Sequence, residues 1–208
     1  MTVRVLAVDD PHAAAEAAEV LRAGRLVVLP TDTVYGVAAA LDERAIERIF
    51  AAKQRPAERA VPVLLSSADA APLVTRDFPE AARKLAAAFW PGPLTIAVPR
   101  RDDLPRNLTQ QSTVAVRVPD HAAARAVIAA AGGALAVTSA NRSDEPPACT
   151  VEDAIAALGE HVALYLDGGP CSGGVPSTVI TLEAGEPHVL RRGPIHESAL
   201  RAALGLRG

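Results

Sequence analysis

Four segments of this 208-residue chain concentrate polar side chains next to apolar runs, where they could meet a ligand. They are Pro30–Gly36, Lys53–Arg59, Thr113–Pro119 and Thr138–Ser143. Their cations, amides and hydroxyl groups are hydrogen-bond donors of the kind that bind phosphate and carboxylate groups. In open α/β sheets ligands bind beside the ends of strands. The pattern therefore predicts a site for an anionic ligand.

The first two segments each allow a second interpretation. In Pro30–Gly36 two hydroxyl groups, a carboxylate and a phenol share one turn, and a structural turn is as well supported as a ligand site. Lys53 and Arg55 are two residues apart, so they cannot share a helical face. They converge only if the helix ends between them, as Pro56 indicates. There they would suit a polyphosphate, although composition alone favours a solvated surface cluster.

The other two segments carry similar chemistry. Arg117 interrupts an apolar strand, and strand alternation places it on the face opposite Val116. We interpret it as part of an anion pocket rather than as an edge-strand side chain in water. Ser139 and Asn141 could hydrogen-bond a phosphate, a ribose or a carboxylate. Helix capping or an Asx turn is the alternative for both.

Several other kinds of site are disfavoured. The glycine-rich Gly168–Gly174 has neither G-K-[ST] nor G-x-G-x-x-G, and no G-x-S-x-G elbow occurs. The five histidines lack H-x-x-x-H spacing, so we expect no protein-held metal. Cys149 and Cys171 lie far apart in the sequence, and we expect free thiols rather than a disulfide or a zinc site. The formal charge of −3 argues against a strongly basic nucleic-acid platform but permits a local basic groove.

The hydrophobic pattern predicts an α/β fold with a twisted, mixed sheet and helices on its faces. The predicted strands are Val3–Val8, Arg25–Leu29, Val61–Leu65, Leu94–Val98, Val114–Val118, Leu135–Thr138, Ala163–Leu166, Thr178–Leu182 and Val189–Leu190. The predicted helices are Pro11–Ala23, Glu43–Ala52, Pro79–Trp90, Ala122–Ala131, Thr150–Leu158 and Ser198–Leu204. Arg100–Ser112 is expected to be a long loop. No linker interrupts the pattern, so we expect a single domain over residues 1–208.

The N-terminus shows no positive segment followed by an apolar stretch. No apolar run approaches the ~18 residues that indicate a membrane span. We therefore expect a cytoplasmic protein that does not enter a membrane.

Six segments in register resemble the YrdC-like family of threonylcarbamoyl-AMP synthases. They are PTDTVYGV at 30–37, KQRP at 53–56, WPGPLT at 90–95, TVAVRVPDH at 113–121, TSANRS at 138–143 and PSTVI at 176–180. The match runs from about Ala13 to Gly193. It implies a YrdC-like twisted open mixed sheet flanked by helices, with a concave, positively charged cavity. It also implies the short, single-domain form, without the extra C-terminal domain of longer relatives.

The resemblance implies that ATP, L-threonine and bicarbonate are converted to threonylcarbamoyl-AMP and pyrophosphate, with Mg²⁺ carried by the ATP. A separate tRNA threonylcarbamoyl transferase complex would then use the product. The implied catalytic group is Lys53, Arg55, Ser139 and Asn141. The implied ATP site contains these four residues and Arg59, Thr113 and Arg191. The implied threonine site contains Thr33, Arg117 and Ser177.

Two departures from the family pattern and two alternative functions stay open. Some members carry a histidine near the threonine, in the strand where this chain has Leu64, so threonine could be held differently. Asp144 stands where a glycine often follows, which predicts a less mobile loop. The chain could instead be a module that binds tRNA or double-stranded RNA. It could also be a paralogue with different carbamoyl or acyl-adenylate chemistry.

Overall fold

A mixed β-sheet organises the fold. The computed structural model describes residues 3–54, 56 and 59–206, and within them the sheet has ten strands. The strands are β1 Val5–Ala7, β2 Val27–Leu29, β3 Gly36–Ala39, β4 Val63–Leu65, β5 Leu94–Pro99, β6 Thr113–Arg117, β7 Ala134–Ser139, β8 Leu164–Asp167, β9 Thr178–Glu183 and β10 Glu186–Arg191. Their spatial order is β1-β8-β2-β3-β7-β4-β6-β5-β9-β10. Parallel pairs are β1–β8, β2–β8, β4–β6 and β5–β9, and the others are antiparallel. The predicted fold class is confirmed.

Six α-helices of the described residues correspond to the six predicted ones. They are α1 Ala13–Arg22, α2 Glu43–Lys53, α3 Glu80–Phe89, α4 Ala122–Ala130, α5 Val151–Leu158 and α6 Glu197–Ala203. Short 3₁₀ turns occupy Ala68–Leu73 and Gly159–His161. Helix α5 begins with a capping box, in which the Thr150 hydroxyl accepts from the Asp153 amide and the Asp153 carboxylate accepts from the Thr150 amide. Side-chain capping thus fixes where α5 begins.

Strand β3 was missed by the sequence analysis. It consists of Gly-Val-Ala-Ala, too short and too poor in β-branched residues to be recognised by pattern. The tertiary structure makes it a central strand between β2 and β7. Gly36 is required there, since a β-carbon at this position would lie 2.6 Å from Cγ1 of Val137.

Two hydrophobic clusters cover the two faces of the sheet. Helices α2, α3, α5 and α6 contribute to the larger cluster, whereas α1 and α4 contribute to the smaller one. The alternation of strand side chains divides β2 between them, with Val28 in the larger cluster and Val27 and Leu29 in the smaller. The sheet is thus enclosed between two helical layers, and the smaller cluster leaves part of its face open for a site.

Candidate functional site

A cavity of about 220 Å³ lies on the sheet face that carries α1 and α4. Its polar lining consists of Thr31, Thr33, Tyr35, Thr95, Arg117, Thr138, Ser139, Ser177 and Arg191. Its apolar lining includes Leu64 and Val137, which belong to the smaller cluster. Register places Leu64 beside Arg117 on the neighbouring strand. The cavity therefore opens over the face of the sheet, and strand ends contribute only part of its wall.

Arg117 forms the charged wall of the cavity. Strand β6 lies between β4 and β5, and Arg117 is only 5% exposed, so the edge-strand alternative is wrong. Its Nε donates to the Gly92 carbonyl at 2.9 Å, and one Nη donates to Thr33 Oγ1 at 2.9 Å. The other Nη forms a partly buried ion pair with Asp32 at 2.5 Å. Burial lowers the pKa of Arg117, and the Asp32 carboxylate opposes that shift.

The Arg117 guanidinium keeps donors for a ligand. A guanidinium has five N–H groups, and three are used by the contacts just given. Among the described residues, one N–H on each terminal nitrogen has no partner. Since carboxylates and phosphates accept paired hydrogen bonds from arginine, this wall is suited to an anionic group.

A second cation, Arg191, lies at the end of β10 and also lines the cavity. The Nε and one Nη of Arg191 donate to the Ser177 carbonyl at 3.1 and 3.0 Å. The same Nη also donates to Ser177 Oγ at 3.2 Å. Thr95 Oγ1 lies 2.8 Å from Ser177 Oγ. Burial lowers the pKa of Arg191. The structure therefore brings Thr33, Arg117, Ser177, and Arg191 together at one cavity.

Lys53 lies under the loop that follows β7. It is 1% exposed, so the prediction of a solvated cluster is wrong for this residue. Its ammonium donates to the carbonyls of Ser139 and Asn141 at 2.5 and 2.6 Å, and to Asn141 Oδ1 at 3.1 Å. The Asn141 amide donates to the carbonyls of Arg142 and Glu145 at 2.9 and 2.6 Å. The side chains of Lys53 and Asn141 thus hold the loop in shape.

The remaining predicted site residues are more dispersed. Ser139 lines the cavity, but Thr113 lies at the start of β6, four residues and about 13 Å along the strand from Arg117. Arg59 is exposed and pairs with the Asp144 carboxylate at 2.8 Å, which raises its pKa. Arg55 lies outside the described residues. The nucleotide roles of these residues stay predictions.

Asp144 adopts a backbone conformation that favours glycine. Its φ is +65°, the left-handed backbone region that glycine adopts at least cost. Aspartate tolerates this region better than most residues do. The bond with Arg59 then ties the Asp144 side chain to the segment that follows α2.

Two long-range pairings could not be read from sequence spacing. Asp32 stands in the first polar segment, but only the folded chain brings it to Arg117. Cys149 and Cys171 are free, as expected, yet the Cys171 amide donates to the Cys149 carbonyl at 2.7 Å. The pKa of the Cys149 thiol is raised to about 11, chiefly by its hydrogen bond to Cys171. Long-range pairing of this kind leaves no short-range signal.

The described residues contain no group of three or more histidine, cysteine or acidic side chains that could hold a metal ion. In the same part of the chain, no helix has the length and apolarity needed to span a membrane.

Comparison with known proteins assigns the family. A family model named for Sua5, YciO and YrdC, with the description "Telomere recombination", matches residues 19–193. A Mycobacterium tuberculosis protein is 39% identical over 188 residues, covering 89% of this chain and 86% of the relative. The threonylcarbamoyl-AMP synthase of Chromohalobacter salexigens is 38% identical, covering 86% of this chain and 96% of the relative.

Solved structures agree with that assignment. Pyrococcus abyssi Sua5 complexed with L-threonine superposes with a TM-score of 0.92 at 35% identity over 99% of this chain. This chain spans only 61% of that longer structure. Escherichia coli YciO gives a TM-score of 0.83 at 25% identity, covering 96% and 98% of the two chains. The chain belongs to the Sua5/YciO/YrdC family.

Proposed function

We propose that this protein synthesises threonylcarbamoyl-AMP and pyrophosphate from L-threonine, bicarbonate and ATP. The observation that carries the proposal is the buried Arg117, which keeps two N–H donors at a cavity of amino-acid size. It is supported by the named synthases of the family and by a relative of the same fold that was solved with L-threonine. Because AMP is transferred from ATP to the carbamate, the protein would be a nucleotidyltransferase. Its product would pass to a tRNA threonylcarbamoyl transferase complex, so the protein would act in tRNA modification.

The threonine subsite would be the cavity itself. Arg117 would hold the amino-acid carboxylate through its two remaining N–H groups, with Thr33 and Ser177 on either side. At about 220 Å³ the cavity is smaller than the ~300–1,000 Å³ typical of ligand pockets. The nucleotide would therefore extend from the mouth of the cavity.

The chemistry needs positioning more than a protein nucleophile. The threonine amine takes up bicarbonate to give a carbamate and water. A carbamate oxygen attacks the α-phosphorus, the bond to the β-phosphate oxygen breaks, and pyrophosphate leaves. Arg191 and Arg55 are the cations that we expect to neutralise charge on the phosphates. Lys53 would contribute mainly by shaping the 139–143 loop, because its ammonium is already hydrogen-bonded there.

Magnesium fits this proposal as part of the ATP complex rather than as a protein-held ion. The Asp32 carboxylate is already bonded to Arg117 and to the Asp120 amide, so it is a poor candidate ligand. Mg²⁺ commonly binds through substrate phosphates and water.

The test is pyrophosphate release from purified protein with ATP, Mg²⁺, bicarbonate and each of several amino acids. We expect release to require both bicarbonate and threonine. Arg117→Lys keeps the charge but loses the guanidinium fork, so we expect its KM for threonine to rise by about thirtyfold or more. Arg101→Lys, which alters an exposed pair with Asp103, is the matched control and should behave as wild type.

Two outcomes would change the proposal. Release with another amino acid would keep the mechanism and change the substrate, as expected for a paralogue. Folded protein that releases no pyrophosphate under any condition would refute the enzymatic proposal. RNA binding that weakens with salt would then be the function to measure.

A further inference from the structure

A chain of three hydrogen bonds runs along one wall of the cavity. The Arg117 guanidinium donates to Thr33 Oγ1 at 2.9 Å. Thr33 Oγ1 lies 3.0 Å from Thr31 Oγ1, and Thr31 Oγ1 lies 2.7 Å from the Val34 carbonyl oxygen. The side chains of Thr31, Thr33 and Arg117 are all buried, with 5% or less of each exposed.

The direction of each bond in this chain follows from the number of protons available. A guanidinium only donates, a carbonyl only accepts, and each hydroxyl group has a single proton. The Thr31 proton must point to the Val34 carbonyl, because otherwise two lone pairs would face each other at 2.7 Å. Thr31 Oγ1 can then only accept, and it accepts from the backbone amides of Thr33 and Val34 at 3.2 and 3.3 Å as well as from the Thr33 hydroxyl group. The Thr33 proton is therefore used inside the protein.

This leaves Thr33 with a lone pair and no proton for a ligand. Among the described residues, the contacts of its hydroxyl group are Arg117 and Thr31 alone. A carboxylate placed against Thr33 would bring lone pairs together, which is unfavourable in a buried site. An N–H or O–H group of the ligand in the same place would donate to the remaining lone pair of Thr33 Oγ1.

We propose that Thr31 is a positioning residue that makes Thr33 an acceptor, so that Thr33 recognises a hydrogen-bond donor of the amino-acid substrate while Arg117 takes the carboxylate. The inference rests on the proposed function, since it requires threonine in this cavity. The donor is either the N–H of the amine or carbamate or the β-hydroxyl group. With either donor, the substrate carboxylate lies away from Thr33.

Calorimetric binding to three ligands tests the acceptor role. The ligands are L-threonine, L-threoninol, which lacks the carboxylate, and L-2-aminobutyrate, which lacks the hydroxyl group. We expect Thr33→Val to weaken threonine binding about tenfold, and Thr33→Ser, which keeps the hydroxyl group, to retain most of the affinity. The same loss should appear with threoninol, because the bond does not involve the carboxylate. With aminobutyrate, a retained loss identifies the N–H as donor and an abolished loss identifies the hydroxyl group, and both support the proposal.

The role of Thr31 is tested through the same ligands. In Thr31→Val the Thr33 proton is released, so Thr33 can donate to a carboxylate. We expect weaker threonine binding than in wild type and a larger gap between threonine and threoninol, a pattern that general destabilisation would not produce. Thr31→Ser should restore both the threonine affinity and the wild-type difference between threonine and threoninol binding. Thr75→Val is the matched control, because Thr75 is also buried and also donates to a carbonyl, but outside the cavity lining.

The outcomes that overturn the proposal are distinct. If the Thr33→Val loss disappears with threoninol, Thr33 donates to the carboxylate and the inference is wrong. Unchanged threonine binding in Thr33→Val would also overturn the inference. If Thr31→Val does not fold, these Thr33 results decide alone. Wild-type protein that binds no threonine overturns the proposed function and this inference together, whereas binding without the predicted pattern overturns only the inference.

Discussion

Replacing Lys53 with methionine should destabilise the fold, whatever it does to catalysis. Methionine keeps most of the length of the side chain and removes the ammonium group. Lys53 is 1% exposed, and its ammonium bonds two backbone carbonyls and one side-chain oxygen of the loop after β7. Without it, the buried acceptors of Asn141 and the partly buried carbonyl of Ser139 lose a charged donor.

The size of the effect can be bounded. A hydrogen bond to a charged group contributes about 1.5–3 kcal/mol, and a buried acceptor left unpaired costs about 1–3 kcal/mol. Part of this is offset, because the variant no longer buries a charge. The Ser139 carbonyl oxygen also keeps its hydrogen bond from the backbone N–H of Asn141, at 3.0 Å. We therefore expect a net loss of about 3 kcal/mol, which lowers Tm by about 6–12 °C for a domain of this size.

Thermal unfolding followed by circular dichroism gives the result directly. Lys84→Met is the matched control, because Lys84 is the other lysine of the chain and is exposed on α3. It should shift Tm by no more than about 2 °C. A Lys53→Met variant with a wild-type Tm and a raised KM for ATP would refute the reasoning. It would show that the ammonium acts on phosphate rather than on the loop.

Four further predictions concern the surrounding loops. Because the pKa of Cys149 is raised to about 11 from 9.0, its alkylation at pH 8 should be slow, and Cys171→Ala should speed it about tenfold or more. The Cys149 proton should stabilise the fold fully below pH 9, and urea unfolding should show this contribution lost as pH rises through about 11. Asp144→Val should lower urea-measured stability by about 1–2 kcal/mol, whereas Asp144→Gly should stay within about 0.5 kcal/mol, because φ is +65°. Gly173→Ala would place a β-carbon 2.7 Å from the Asp32 carbonyl oxygen and so displace the loop that contains Asp32. We expect the threonine Kd, measured by calorimetry, to rise about tenfold. Unchanged affinity would contradict this expectation.

Local patterns in the sequence were sufficient for most of the secondary structure. Apolar runs and helical spacing located nine of the ten strands and all six α-helices of the described residues. The end of α2 at Lys53 agrees with the expected effect of Pro56. These features depend on residues close together in the chain, which is why pattern alone could identify them. Strand β3 was not predicted, because its small residues form a strand only through pairing with β2 and β7.

The sequence by itself determined which chemical groups the site could contain, because the polar segments beside apolar runs carry them. The tertiary structure decided how those groups are used. Sheet order placed β6 in the interior, so Arg117 became a buried cation that needs Asp32. Packing of α2 against the loop after β7 turned the Lys53 ammonium towards backbone carbonyls. Burial and long-range pairing set the direction of each hydrogen bond, and neither is encoded in the spacing of residues along the chain.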